Sequence, residues 1–453
     1  MEIKQWEDKN LSHFSYAVLS QDKIILIDPS RNPEQYLQFA GDNGAKITGI
    51  IETHPHADFV SSHLEISETT GAPVYVSKRV NAVYPHQTFD DGDTIEIGEV
   101  TLFAINTPGH SPDSISILLA HDGKQKAVFT GDTLFIGDCG RPDLREDAGN
   151  LTATREELAK QMYHSLRDKL ATLPGEVVVY PAHGAGTLCG KALSKAAHST
   201  IAAEVKANWS LQEATETEFV TNLLDGQPFV PAYFPYAVAL NRTGAPPFRE
   251  SIGKIKTHHQ IKNEADAHSL KKDLWIVDAR PEQAFKAGHL PHSVNLMEGE
   301  KFETWLGSII QPGEKFYLGG TSEEQLHRLI ERTAAIGYEA QVEQAFVIHY
   351  GTEQTAKLDV AGFRQHQDQF TIVDVRNASE VKGKKIFENS LLIPLPEIRN
   401  RFHEIPPDKP VVVHCLGGYR SAAASSLIGT QINGGSKVFD LGESVKEFSN
   451  NHH

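Results

Sequence analysis

The stretch Thr53-His-Pro-His-Ala-Asp58 places two histidines and an aspartate close together in the chain. It directly follows Ile47-Thr-Gly-Ile-Ile-Glu52, a short β-branched run that predicts a strand. Loops at the ends of strands are where rigid scaffolds gather functional side chains. A lone histidine is usually a surface or core residue, but a cluster of this kind after a strand favours a metal site.

Three further groups with metal-ligating side chains also follow predicted strands. They are Thr107-Pro-Gly-His110, Thr130-Gly-Asp132 and Tyr180-Pro-Ala-His183, after the strands predicted at Val100–Ile105, Ala127–Thr130 and Val177–Tyr180. A helix predicted over Thr154–Leu173 ends at Pro174-Gly175, a common helix stop. Mixed strands and helices predict a layered α/β domain. Imidazoles and carboxylates that converge at strand ends are the ligands that a first-row metal prefers.

This arrangement resembles the metallo-β-lactamase superfamily, whose signature is His-x-His-x-Asp-His followed by separate His, Asp and His ligands. The resemblance implies an α/β fold with an αββα sandwich, which we assign to residues 1–245 together with a Pro-rich C-terminal linker. In two-metal hydrolases such as glyoxalase II, the histidine directly after the aspartate of the motif is one of the ligands of the second metal. Here that position is Phe59, whose ring cannot ligate. The sequence therefore favours one metal over two.

The segment Gly131–Asp143, with Gly-Asp followed by Cys139-Gly-Arg-Pro-Asp143, resembles persulfide dioxygenases within that superfamily. The resemblance implies one Fe(II) per chain. Its ligands would be His54, His110 and Asp132, and the residues that orient ligands and bound water would be His56, Asp58 and His183. Two histidines and one carboxylate with an open opposite face are typical of non-haem iron oxygenases. Arg141 is expected to pair with a carboxylate such as Asp143, with an effect on the iron as the alternative.

Cys189 lies six residues after His183, in Gly186-Thr-Leu-Cys-Gly190. Fusions of the persulfide dioxygenase family resemble this segment, so a thiol in the substrate channel is one interpretation. A buried inert cysteine is the other, because cysteine is among the most often buried residues.

A second candidate site lies in Val411-Val-Val-His-Cys-Leu-Gly-Gly-Tyr-Arg-Ser421, a buried strand that continues into a predicted helix. Cys415 stands at the turn, where backbone N–H groups and the helix N-terminus favour an anion and stabilise a thiolate or persulfide. The order Cys-x-x-Gly-x-Arg resembles the active loop of rhodaneses, which carry sulfane sulfur on cysteine. The resemblance implies that Cys415 and Arg420 are catalytic.

A weak internal repeat precedes this loop. Leu274-Trp-Ile-Val-Asp-Ala-Arg280 is similar to Phe370-Thr-Ile-Val-Asp-Val-Arg376, about one small domain apart. We therefore expect two α/β rhodanese-like domains, at residues 255–355 and 358–453. The first has Tyr317-Leu-Gly-Gly-Thr-Ser322 at the catalytic position, without cysteine, and is expected to be inactive.

Composition limits the function classes. The formal net charge of −16 disfavours nucleic-acid binding, since phosphate neutralisation needs a basic face. Only three cysteines are present, too few for a disulfide framework, which favours a cytoplasmic setting. No apolar run approaches the ~20 residues that span a bilayer, and the N-terminus lacks signal-peptide character. We expect no membrane partner.

Together these features resemble a persulfide dioxygenase–rhodanese fusion of sulfide detoxification. A low-molecular-weight thiol persulfide and O2 would give sulfite at the iron, and Cys415 would transfer sulfane sulfur to sulfite, giving thiosulfate. We expect such a fusion to form a homo-oligomer. Two alternatives remain open at this point. One is a dinuclear thioester hydrolase like glyoxalase II, and the other is a non-catalytic sulfur carrier.

Overall fold

The computed structural model describes residues 1–144, 153–431 and 437–449. The chain divides into two compact units: residues 1–251 with 334–337, and residues 252–333 with 338–453. The domain predicted at 1–245 includes residues 145–152, and the domain predicted at 358–453 includes residues 432–436 and 450–453. Those segments lie outside the described residues.

The first unit contains two six-stranded sheets. The first sheet has the order β1-β2-β3-β4-β5-β6, the second has the order β14-β13-β10-β9-β8-β7, and β11 and β12 form a separate hairpin. The strands are β1 (Glu2–Asp8), β2 (His13–Ser20), β3 (Lys23–Ile27), β4 (Lys46–Ile51), β5 (Val74–Val76), β6 (Gln87–Thr88), β7 (Thr94–Ile97), β8 (Val100–Asn106), β9 (Ile115–His121), β10 (Lys124–Gly131), β11 (Leu134–Phe135), β12 (Asp138–Cys139), β13 (Val178–Pro181) and β14 (Ser199–Thr200).

The first unit also contains helices, and the first five of these in chain order pack on the outer faces of the two sheets. The helices are α1 (Glu34–Asp42), α2 (His63–Thr70), α3 (Arg155–His164), α4 (Ile201–Ala207), α5 (Glu216–Leu224), α6 (Phe234–Thr243) and α7 (Phe248–Gly253). One apolar cluster lies between the two sheets, a second lies between the first sheet and α1–α2, and a third lies between the second sheet and α3–α5. These three layers of core are the αββα sandwich that the sequence predicted.

The predicted strands before the ligand groups are confirmed as β4, β8, β10 and β13. Three of them lie within one residue of the expected bounds, and β10 begins three residues earlier than expected. The predicted helix at Thr154–Leu173 begins as α3, where Thr154 and Glu157 form a capping box. It continues as a π-helical segment at Ser165–Leu170, and so ends shortly before Pro174-Gly175.

The second unit contains two parallel sheets. The first sheet has the order β15-β19-β18-β16-β17 and the second has the order β21-β20-β22-β23. The strands are β15 (His259–Ile261), β16 (Trp275–Asp278), β17 (Ser293–Asn295), β18 (Phe316–Gly320), β19 (Val342–Ile348), β20 (Thr371–Asp374), β21 (Leu391–Leu392), β22 (Val411–His414) and β23 (Val438–Asp440). The helices are α8 (Glu264–His268), α9 (Glu282–Ala287), α10 (Phe302–Ile309), α11 (Glu323–Ala335), α12 (Val360–Gln365), α13 (Ala378–Val381), α14 (Ile398–Arg401), α15 (Tyr419–Gln431) and α16 (Lys446–Ser449).

We call the part with strands β15–β19 the first repeat and the part with strands β20–β23 the second repeat. In the first repeat Arg280 donates to both oxygens of Asp278, at 3.0 and 2.7 Å. In the second repeat Arg376 donates to both oxygens of Asp374, at 2.9 and 2.6 Å. The same buried pair closes the end of the equivalent strand in each, which confirms the internal repeat predicted from the sequence.

In the described ranges, no helix combines the length and the apolar character needed to cross a membrane.

Candidate functional site

Side chains from the ends of four strands meet at one edge of the sandwich. His54 follows β4, His110 follows β8, Asp132 follows β10 and His183 follows β13. One ligand atom from each of His54, His110 and Asp132 lies within 4.8 Å of the others. All four side chains are buried. The side chains that follow these strands therefore do lie close together, as the sequence predicted.

The imidazole Nε2 atoms point at the Asp132 carboxylate. His110 Nε2 is 3.4 Å and His54 Nε2 is 3.8 Å from Asp132 Oδ2, while His183 Nε2 is 3.5 Å from Asp132 Oδ1. Edges of this length are close to those between ligand atoms around an ion with bonds of about 2.0–2.2 Å. The group thus has the spacing of a metal site.

Neighbouring groups fix two of the imidazoles, those of His54 and His183, in the tautomer whose Nε2 can bind a metal. The Thr53 hydroxyl donates to Asp28, at 2.8 Å, so His54 Nδ1 is the donor to that hydroxyl, at 3.0 Å. His183 Nδ1 donates to the carbonyl of Ser12, at 3.2 Å. In both rings Nε2 then carries the lone pair, as in the ligand-orienting contacts of metal sites.

Two further observations indicate that the site can bind a cation. Among the residues that the structure describes, neither carboxylate oxygen of Asp132 nor Nε2 of His183 has a well-formed hydrogen bond. Buried polar atoms are normally paired, so these atoms need a partner such as a metal ion. Burial lowers the pKa of His110, against the opposing charge of Asp132, and so favours the neutral ring that binds a metal.

The second candidate site lies at the carboxyl end of the parallel strand β22. Cys415 follows this strand directly and is buried, with only 1% of its surface exposed. The backbone N–H of Gly418 donates to Cys415 Sγ, at 3.1 Å, and helix α15 starts at the next residue. The predicted turn between strand and helix is therefore present, and an N–H group does face the sulfur.

Arg420 is held beside this loop by an ion pair. Its guanidinium donates to both oxygens of Glu380, at 2.5 and 2.8 Å, and lies 5.8 Å from the ring of Trp305 in the first repeat. The Tyr419 hydroxyl donates to the carbonyl of Met297, also in the first repeat, at 2.8 Å. The first repeat thus supports the loop that carries Cys415.

The corresponding turn of the first repeat is filled by a side chain. Gln325 Oε1 accepts from the backbone N–H of Thr321, at 2.7 Å, and from its hydroxyl, at 2.9 Å. Gln325 Nε2 donates to the carbonyl of Ala279 and to Glu298. The turn offers neither a thiol nor a free N–H at Thr321, which supports the expectation that this repeat is inactive.

Comparison with protein families agrees with the predicted fold class. Residues 9–183 match the metallo-beta-lactamase superfamily, and residues 257–354 and 359–451 match the rhodanese-like domain. The chain belongs to the metallo-beta-lactamase superfamily. It carries that superfamily's αββα sandwich followed by two rhodanese-like domains, so the predicted fold class and family are confirmed.

Individual relatives differ in the activity that their names give. The mitochondrial persulfide dioxygenase ETHE1 of Homo sapiens is 32% identical over 174 residues, which are 38% of this chain and 63% of ETHE1. The chain thus spans less than two thirds of that relative. The probable hydroxyacylglutathione hydrolase glo2 of Schizosaccharomyces pombe is 32% identical over 186 residues, 40% of this chain and 67% of the hydrolase. A metallo-beta-lactamase crystal structure from Staphylococcus aureus subsp. aureus COL has 28% identity and a TM-score of 0.67, and covers 77% of this chain and 99% of its own.

Phe59 departs from the superfamily signature, and the structure explains how its ring is accommodated. The ring is buried and its centroid lies 3.8 Å from that of His13 and 4.4 Å from that of His56. His56 Nε2 lies 3.2 Å from Asp28 Oδ1, and although burial lowers its pKa, the charge of Asp28 raises that pKa to about 9. The ring of Phe59 therefore stands where two-metal relatives have a ligand, and His56 contacts Asp28.

Replacement of Phe59 by histidine is expected to raise the metal content of the metallo-beta-lactamase domain above one ion per chain. The new imidazole would join Asp58 and His183, which lie 3.4 Å apart. Metal analysis after reconstitution measures the effect, with Phe59→Leu as the matched apolar control that stays at one ion. A wild-type chain that already binds two ions would refute the one-metal interpretation.

The loop after Asp132 approaches the site through a glycine. A Cβ on Gly140 would lie 1.9 Å from the backbone oxygen of Asp132 and 3.0 Å from His110 Nδ1. The next residue, Arg141, donates to both oxygens of Asp143, each at 2.7 Å, which confirms the pairing expected from the sequence. Arg141 also donates to the carbonyl of Leu188. The guanidinium thus holds the loop, and the glycine lets it lie against two proposed ligands.

We expect Gly140→Ala to lower metal affinity by roughly 10- to 100-fold, the range found when supporting contacts of ligands are lost. The added methyl group must displace the backbone of Asp132. Competition with a chelator measures the affinity. Gly41→Ala, where a Cβ meets nothing within 4 Å, is the control for an added methyl group. Unchanged affinity in Gly140→Ala would show that the loop does not set the ligand geometry.

Cys189 lies next to the proposed ligands. Its sulfur belongs to a group with Asp132 and His183 whose ligand atoms lie within 4.8 Å of one another. The side chain is buried, and burial followed by the charge of Asp58 raises the pKa of its thiol well above the ordinary value. The structure places Cys189 beside the proposed ligands and buries it, which is compatible with both sequence interpretations, and burial favours the neutral thiol.

Sequence reasoning missed a buried group behind the ligands. Its unpredicted members are Asp28, Glu52 and His63, and they surround His56, which the sequence did point to. Burial and the charge of Asp28 raise the pKa of Glu52 to about 8, while burial and the charge of His56 lower the pKa of His63 to about 3. Asp28 follows β3 directly, so the rule that found His54 and His110 would also have found it.

Proposed function

We propose that this chain oxidises a low-molecular-weight thiol persulfide with O2 at one Fe(II) and transfers sulfane sulfur through Cys415. The observation that carries the first half is the buried set of His54, His110 and Asp132, with Phe59 where a second metal would need a ligand. The likeness of the metallo-beta-lactamase domain to a persulfide dioxygenase supports the reaction class.

His54, His110 and Asp132 would hold the iron. When bound, Fe(II) would supply the redox chemistry by which dioxygen oxidises the terminal sulfur of a persulfide. The overall change is RSS⁻ + O2 + H2O → RSH + SO3²⁻ + H⁺. The chain's own residues orient the imidazoles through Thr53 and Ser12 and enclose the site.

A proton must reach the departing thiolate. His183 Nε2 and Asp58 Oδ2 lie 3.4 Å apart, and burial raises the pKa of Asp58 above its ordinary value. We assign to this pair the holding of a proton beside the reacting sulfur. Cys189 is adjacent to His183, and we propose that it lines the channel to the persulfide.

In the second half, a persulfide on Cys415 passes its terminal sulfur to sulfite. The sulfite lone pair forms the new S–S bond, the bond to Cys415 Sγ breaks, and the products are thiosulfate and the Cys415 thiolate. The Gly418 N–H and the start of α15 stabilise that anion. Arg420, which Glu380 holds beside the loop, would orient the sulfite through its guanidinium N–H groups.

An oxygen electrode tests the proposal with the full chain and glutathione persulfide. We expect one O2 consumed per sulfite formed before sulfur transfer, and none with reduced glutathione. The resemblance to a hydroxyacylglutathione hydrolase makes thioester hydrolysis the competing function, so S-lactoylglutathione is assayed in parallel. Hydrolysis without O2 uptake would favour that alternative, and neither activity would favour a sulfur carrier.

We also propose that the three domains span residues 1–245, 255–355 and 358–453. The cytoplasmic setting and assembly into a homo-oligomer also stay predictions.

A further inference from the structure

A groove opens beside the Cys415 loop in the second rhodanese-like domain. It has a volume of about 1100 Å³ and is lined by Arg376, which follows β20, and Leu416, which follows Cys415. Both residues lie at the carboxyl ends of parallel strands, where α/β sheets bind their ligands. The volume is slightly larger than the usual range for small-molecule sites, which is about 300–1,000 Å³.

The groove is basic although the chain has a net charge of −16. Lys382, Lys384 and Lys385 line it, and all three are exposed. Lys385 Nζ donates to the carbonyl of Glu388, and within the described parts of the chain none of the three ammonium groups lies within 4 Å of a carboxylate.

The acidic side chains of the groove offset little of this charge. Glu380 is neutralised by Arg420, and Arg376 by Asp374, which leaves Glu388 as the counter-charge to three lysines. Exposed lysines usually face solvent and bind no ligand. Three lysines that line one groove next to the Cys415 loop instead favour the binding of a ligand with several negative charges.

The groove also has an apolar side next to the sulfur. Leu416 is 56% exposed, unusual for a leucine, and shares the lining with Val381, Ile386 and Leu392. Sulfite and thiosulfate have no carbon chain to cover this surface, and they are far smaller than the cavity.

We propose that the groove binds a thiol that carries an apolar arm and a phosphate-bearing head, as the sulfur donor or acceptor of Cys415. The inference rests on the proposed function of Cys415. In the acceptor direction, the thiolate of the ligand attacks the terminal sulfur of the Cys415 persulfide. The new S–S bond forms on the ligand, the bond to Cys415 Sγ breaks, and the Cys415 thiolate leaves, with no net oxidation.

The test compares acceptor thiols on the full chain after Cys415 is loaded with thiosulfate. Coenzyme A is the phosphate-bearing probe, and N-acetylcysteamine is the uncharged probe with a similar thiol end. In the variant Lys382→Gln/Lys384→Gln/Lys385→Gln we expect kcat/KM for coenzyme A to fall by roughly tenfold, mostly through KM, because three charge contacts are lost. We expect N-acetylcysteamine to be unaffected, and added salt to reduce the preference of the wild type for coenzyme A.

The matched control is Lys357→Gln/Lys409→Gln/Lys437→Gln, which removes the same charge from exposed positions outside the groove. An equal loss in this control, equal losses for both thiols, or no loss at all would overturn the groove assignment. If the wild type transfers sulfur to no acceptor, including sulfite, the proposed role of Cys415 fails instead, and the two failures are thereby distinguished.

Discussion

Replacement of His110 by alanine is expected to abolish both iron binding and persulfide-dependent O2 uptake. His110 Nε2 lies 3.4 Å from Asp132 Oδ2 in a site that is almost completely buried. Loss of one of three proposed protein ligands leaves too few donors to hold Fe(II) against water and buffer. Iron analysis and the oxygen electrode measure the two effects on the same sample.

The matched control is His121→Ala. His121 ends β9, is partly exposed, and contacts Glu99 and Asp122 at the surface. This variant should keep its iron and at least most of its O2 uptake. If His110→Ala retained iron and O2 uptake at the level of this control, the ligand assignment would be wrong.

Replacement of Cys415 by serine should stop thiosulfate formation and leave O2 uptake intact. A serine hydroxyl keeps the size of the side chain but cannot carry sulfane sulfur, so sulfite accumulates instead. Sulfite and thiosulfate are quantified by chromatography after labelling, during turnover of a thiol persulfide. O2 uptake by the same variant is the internal control for folding of the metallo-beta-lactamase domain. Thiosulfate at the wild-type yield would count against the relay through Cys415.

Much of the metal site was predictable because strands bring their ends to one edge. Short β-branched runs predicted β4, β8, β10 and β13, and the polar groups that follow them do converge. The contact between His183 Nδ1 and Ser12 was not predictable. It joins residues far apart in the chain, and a carbonyl carries no sequence signal.

In the rhodanese-like domains too, contacts between distant segments could not be predicted from the sequence. The missing cysteine of the first repeat is visible in the sequence, but the way Gln325 fills the turn is not, because its partners come from three different segments. The close approach of Gly140 to Asp132 likewise depends on tertiary packing, and only the position of the glycine in a family motif pointed to it.

The proposed oxidation depends on a mononuclear iron site, and metal analysis of the purified full chain is its decisive experiment. We expect about one iron per chain and negligible zinc in the wild type, and loss of that iron in His54→Ala, His110→Ala and Asp132→Ala. Two zinc ions per chain, or iron retained in all three variants, would contradict it.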